Sequence, residues 1–130
     1  MKKIAILLLI LLLFSGCSPI TNINVKNNTT LNGLTGLSGP NPTYEMRVFA
    51  PSLCPEYLYA VPNPGKVVMF GDIRDIEIKL ELYIFDGHTY ILQDRQIIIP
   101  SVDFLAAKHN YYDVSIEQDT STLKIKVVQQ

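Results

Sequence analysis

Between residues 76 and 85 the chain alternates without a break, Ile76, Ile78, Leu80, Leu82 and Ile84 against Glu77, Lys79, Glu81, Tyr83 and Phe85. Ten residues of period two describe a strand with one buried face. Asp86 and Gly87 follow, a pair suited to the two-residue type I′ turn, so the spacing predicts a hairpin into residues 90–99. That register sets Tyr83 opposite Tyr90 and Lys79 opposite Asp94. It also sets Ile78 opposite Arg95 and Leu80 opposite Gln93, which puts polar groups on the apolar face. A bulge near Gln93 and Asp94 resolves the conflict.

The same period recurs on either side. Tyr44, Met46 and Val48 alternate with Glu45 and Arg47. The runs "EYLYAV" and "KVVMF" flank "PNPG", where Pro64 presets one turn position and Gly65 supplies a positive φ at the next. That predicts a hairpin or a tight connection. Val114 and Ile116 face Leu123, Ile125 and Val127 across a polar turn at 119–121, a closing hairpin. Residues 101–110 form the one helical candidate, with Ser101 or Asp103 as cap, Ala106 and Ala107 inside and Asn110 at the end. Six or seven short strands and one short helix predict a mostly β fold, a small antiparallel β-sandwich or barrel, with an α+β sheet as the alternative.

Before residue 44 the pattern changes. Residues 18–43 are rich in Asn, Thr, Gly and Pro, and Lys26 is their one charge. They read as a flexible tether averaging roughly 25–30 Å end to end, with "NINV" as a short edge strand the alternative. Residues 4–14 are eleven apolar residues behind Lys2 and Lys3. A bilayer span needs about 20, so the run fits the core of an export signal instead. Phe14-Ser15-Gly16-Cys17 comes next and resembles the lipobox of bacterial lipoproteins, with Phe14 where Leu is usual and Leu13 one place earlier. The resemblance covers residues 1–17 only. It implies cleavage before Cys17, acylation of Cys17, and a protein anchored to a membrane without spanning it. Ser18, in place of an Asp, leans toward an outer membrane where the host has one. The alternative is an ordinary signal peptide that leaves Cys17 a plain thiol. The expected organisation is a signal at 1–16, a lipidated cysteine and tether at 17–43, and one β-rich domain at 44–130.

Composition adds three constraints. Hydrophobic residues make up 48% of the chain and mean hydropathy is +0.19, but the first sixteen residues inflate both. Beyond them nine Lys and Arg meet twelve Asp and Glu, a net charge of −3. No basic stripe remains, which disfavours nucleic acid. In an oxidising compartment, acylation of Cys17 leaves Cys54 without an intrachain partner. It is then a small buried apolar residue or the site of a disulfide to a partner chain.

Candidate chemistry is sparse. Cys54, His88 and His109 lack the spacing of metal ligands. No G-x-S-x-G, H-E-x-x-H or phosphate-binding loop occurs, and Glu77 and Glu81 read as solvent-facing charges, so neither enzyme nor cofactor is expected. Residues 40–65 hold six of the eight prolines, with Tyr44, Phe49, Tyr57 and Tyr59 among them. Restricted backbone and large amphipathic rings suit recognition, which marks Phe49, Cys54, Tyr57 and Tyr59 as a candidate partner-binding surface. The plainer reading is that the prolines shape loops and the tyrosines cap the core. The function expected is a non-enzymatic envelope lipoprotein docking onto a larger protein assembly. A small-ligand or glycan binder with a tyrosine-lined groove comes second, and a hydrolase third.

Overall fold

The computed structural model describes Lys3 and residues 18–31, 43–60, 62–103, 108–120 and 122–130. Apart from Lys3, the expected export signal at 1–16 and the Phe14–Cys17 motif lie outside these residues. Eight strands are described: β1 (Ile20–Asn27), β2 (Thr43–Phe49), β3 (Leu58–Ala60), β4 (Val67–Ile73), β5 (Ile78–Phe85), β6 (Tyr90–Ile98), β7 (His109–Asp119) and β8 (Thr122–Gln129). They form two four-stranded sheets, sheet A in the order β4-β1-β7-β8 and sheet B in the order β3-β2-β5-β6. Every pairing is antiparallel except β1 with β7. The two sheets pack as a small β-sandwich and do not close into a barrel.

Period two explains the core. Ile23 and Val25 from β1, Val114 and Ile116 from β7 and Leu123 and Ile125 from β8 meet Tyr44, Met46 and Val48 of β2 and Ile78, Leu80 and Leu82 of β5. Alternate residues point outward, so each sheet keeps a second face. The closing hairpin holds, with Val114 opposite Val127 and Ile116 opposite Ile125.

Four expectations need correction. The tether drawn over 17–43 gives way at Ile20–Asn27 to β1, an interior strand between β4 and β7 and not an edge addition. Its buried Asn27 is accommodated by bonding: the side-chain amide donates to the carbonyls of Leu31 (2.8 Å) and Pro62 (3.0 Å) and accepts from the Thr29 backbone (2.8 Å), while the buried Thr21 hydroxyl has no hydrogen-bond partner among the described residues. The folded unit thus includes residues well before Tyr44.

Of the two readings of the runs around "PNPG", the hairpin is excluded, since β3 belongs to sheet B and β4 to sheet A, and the tight connection between strands stands. Gly65 does take a positive φ of 76°, and Lys66 N–H closes the turn onto Asn63 O at 2.9 Å.

The β5–β6 turn spans four residues. Asp86 is not in the positive-φ region that a type I′ turn demands; its carboxylate instead accepts from the amides of His88 and Thr89, both at 2.8 Å. Phe85 therefore pairs with Tyr90, and Lys79 pairs with Ile97 and not Asp94. The bulge falls where expected, with Gln93 the extra residue between Leu92 and Asp94.

The helix expected over 101–110 is absent from the described residues of that range. Ser101–Asp103 and Lys108 are irregular and His109 and Asn110 open β7, while residues 104–107 lie outside the described set.

Strand directions define two ends. β1 and β7 start, and β2, β4, β6 and β8 finish, at what is here the lower end. There the links 50–57 and 74–77 come together, with Arg74 N–H donating to Ser52 Oγ (3.0 Å), and at the same end Ser101 O accepts the Asn110 amide at the start of β7 (3.0 Å).

Candidate functional site

The outer face of sheet B gathers the unusual side chains. Because Tyr44, Met46 and Val48 turn inward, Glu45, Arg47 and Phe49 turn outward from β2. In the same way β5 presents Lys79, Glu81, Tyr83 and Phe85. The register then aligns Tyr59, Arg47, Glu81 and Arg95 in one row across all four strands. Such directly opposed residues are the contacts through which a sheet face organises itself.

Arg47 is the centre. Its guanidinium carbon lies 4.4 Å from the Tyr83 ring centroid, 4.9 Å from Tyr57 and 5.2 Å from Tyr90. Its NH2 group donates to Glu45 at 3.4 Å, while Nε is buried with no hydrogen-bond partner among the described residues. Burial works against the Arg47 charge, but the bond to Glu45 and its charge outweigh that and raise the pKa. A flat cation among ring faces is a favourable desolvated arrangement.

The rings also hold one another. Phe49 and Tyr57 are 5.4 Å apart, Tyr57 and Tyr59 meet edge-on at 5.1 Å, and Phe85 and Tyr90 lie at 4.8 Å. Hydroxyls of Tyr57 and Tyr59 share a hydrogen bond of 3.2 Å; that bond, with some desolvation, leaves the Tyr59 phenol pushed up to about 12. Lys79 Nζ sits 4.2 Å above Phe49.

Beneath this layer two carboxylates are buried: Glu45 is 2% exposed and Glu81 5%. Glu81 accepts Arg95 Nε at 2.9 Å and its NH2 group at 2.5 Å, with Lys79 Nζ at 3.9 Å. The solvent-facing reading of Glu81 is thereby corrected. Its strand face is outward, but long neighbours cover it.

Of the residues singled out from sequence, Phe49, Tyr57 and Tyr59 converge here, on the outside of sheet B and not as caps on the core. Cys54 stands apart, half-buried and free in the link after β2, with its N–H on Ala50 O at 3.1 Å. Cys17 lies outside the described residues. Arg47, Tyr83, Tyr90 and the two buried carboxylates went unflagged. The signal available for them was the outward set of β2 and β5, in which aromatic and charged residues replace the usual small polar ones.

His88 and His109 are exposed, and neither imidazole hydrogen-bonds to a hydroxyl, thiol or carboxylate among the described residues. No three His, Cys, Asp or Glu side chains cluster at ion-holding distance among those residues. Compared with protein-family models, with curated proteins and with solved structures, the chain matches none.

Proposed function

We propose that this chain is a membrane-anchored envelope lipoprotein whose β-sandwich is a non-enzymatic docking module for a protein of a larger envelope assembly. The Phe14–Cys17 motif supports the anchor. The observation that carries the docking role is the outer face of sheet B, where Tyr57, Tyr59, Tyr83 and Tyr90 surround Arg47. Tyrosine and arginine are the residues that dominate binding energy at protein interfaces. Here they are held in place by ring contacts and ion pairs, so little side-chain freedom remains to be lost on association. Local charges are already compensated on the face, so the partner needs no strong charge of its own.

The test is recovery of partners from detergent-solubilised membranes. The intact chain is expected to bring down a stoichiometric envelope protein, and Tyr59→Ala and Tyr90→Ala to reduce its recovery at least about tenfold, the scale of an interface hot spot. Lys126→Ala, on the opposite sheet, should leave recovery unchanged. No stoichiometric protein partner, or retention on cell-wall glycan alone, removes this reading.

A further inference from the structure

We infer that the lower end of the sandwich rests directly in the headgroup layer of the membrane that holds Cys17, so that the domain sits on the lipid surface and does not swing above it. This rests on the lipoprotein reading of Cys17. Three observations carry it.

The first is reach. Only Ser18 and Pro19 separate Cys17 from Ile20, the first residue of β1. Three residue steps span at most about 10 Å even when fully extended. Pro19 is buried and Ile20 N–H is bonded to Lys108 O at 2.9 Å, so the chain is already committed to the fold there. An acyl chain on Cys17 therefore brings the lower end to the lipid.

The second is an asymmetry between the ends. Ile76 is 71% exposed and Ile99 73%, and Leu53 and Val102 are exposed in links of the same end. They come from three separate links of the lower end, two of which, 50–57 and 74–77, are tied by the Arg74–Ser52 bond. The described links of the upper end, 28–31, 62–66 and 86–89, expose no large apolar side chain; the exposed apolar residues of that end, such as Val67, Met69 and Tyr90, lie within strands on the sheet faces. Scattered exposed apolar residues are ordinary, but a group gathered from different links marks an interaction site.

The third is charge. Arg74 and Lys108 share the lower end with Glu56, Asp75, Glu77 and Asp103, so it is not positive overall. Insertion of apolar side chains at the interface, and not attraction to anionic lipid, is then the contribution of this surface. Binding of that kind scales with buried apolar area and does not weaken as salt rises.

The chain contains no tryptophan, which makes a single introduced indole a clean reporter. The full-length chain, purified from membranes, is reconstituted into phosphatidylcholine vesicles brominated near the headgroup. The Ile99→Trp and Ile76→Trp variants are compared with His88→Trp at the opposite end. Emission from the two lower-end variants is expected to shift to the blue and to be quenched several-fold more than His88→Trp, equally at low and high salt. Equal quenching at both ends, with Cys17 acylated by mass spectrometry, overturns the surface contact and leaves the anchor standing. An unmodified Cys17 overturns both. A blue shift seen in native membranes but absent in pure lipid assigns the lower end to a protein and likewise overturns the proposal.

Discussion

The outer faces of the two sheets are built on the same alternation and behave differently. Sheet A presents Asn22, Asn24, Lys26, Asp113, Ser115, Glu117, Lys124 and Lys126, with Val67, Met69, Tyr111 and Val128 exposed among them, and its polar contacts are open to water, such as Asn28 and Ser115 to Glu117 at 2.9 and 2.8 Å or Lys124 to Asp119 at 3.6 Å. Sheet B presents charges of the same kinds, yet interleaves them with six rings, and its two carboxylates disappear from solvent. The difference lies in the neighbours. A glutamate beside serine and lysine stays wet, whereas one beneath tyrosine and arginine is covered by their long side chains. Sheet B thus carries a second, thinner packed layer outside the core, and its polar groups are costly to disturb.

The comparison breaks most visibly at arginine. Arg47→Ala removes the cation from three rings and leaves Glu45 buried without its partner; it is expected to cost about 2–3 kcal/mol, the range for a broken, largely buried pair less a discount for partial exposure. Lys126→Ala on sheet A should stay within about 0.5 kcal/mol. Urea denaturation of both variants checks the contrast, and equal costs would dissolve it.

The glutamates give a smaller version. Glu81→Gln weakens a charge-assisted pair with Arg95 and is expected to cost about 1–2 kcal/mol, measured by thermal unfolding. Glu117→Gln should cost a few tenths of a kcal/mol, as for exposed sites generally. Bonds from Asn28 and Ser115 hold the Glu117 carboxyl below its usual value. Its contribution is therefore present above the unfolded pKa and is lost as pH falls through the folded one, a loss the Glu117→Gln variant should not show.

Between the faces, the edges make a third contrast. The β6 bulge aims Asp94 at β8, where its carboxylate accepts Ile125 N–H at 2.8 Å, with Gln93 accepting Leu123 N–H at 3.5 Å. Free strand edges invite pairing with other chains. Asp94→Ala is expected to cost about 1 kcal/mol and to raise the fraction of dimer in size-exclusion runs, while Asp86→Ala, a turn residue on the same hairpin, should stay monomeric.

The smallest effect at neutral pH comes from inside. Burial holds the Tyr44 phenol well above its ordinary 10.0, with its hydroxyl bonded to Pro62 O. The folded state keeps a proton that the unfolded chain releases, so this stability is complete below about pH 10 and falls by up to about 1.4 kcal/mol per unit as pH rises beyond it. Tyr44→Phe should flatten the alkaline limb of a stability-against-pH curve.

Much of the architecture was legible from period two alone. Strand β5, the inward set of β2 and the closing β7–β8 hairpin follow directly from alternation. Even the Gln93 bulge announced itself, because the register set by the expected turn put Arg95 and Gln93 on the apolar face. Strand β1 was obscured by composition: Thr21 and Asn27 occupy inward positions that a hydrophobic count rejects, and hydrogen bonds formed on folding satisfy Asn27, while the Thr21 hydroxyl is buried with no hydrogen-bond partner among the described residues. Residues 86–89 were misjudged because Asp86 has a local alternative to the tight turn, its carboxylate accepting two amides of its own loop. Of the candidate face, Phe49, Tyr57 and Tyr59 stood out as aromatics near prolines. Arg47, Glu81 and Tyr83 did not, since their significance depends on a row across four strands that no single segment contains.

The parallel pairing of β1 with β7 has a consequence for how this chain reaches its structure. Local ribbons such as β5–β6 and β7–β8 need only a short search, but β1 pairs with residues 89 positions further along. Closing so large a loop is slow. The first strand to leave the synthetic machinery is thus among the last to be locked, and it waits in the company of β4 until the final hairpin arrives to sit beside it. Any truncation that removes β7 and β8 leaves β1 exposed along one side, so β1 and the β7–β8 hairpin mature together.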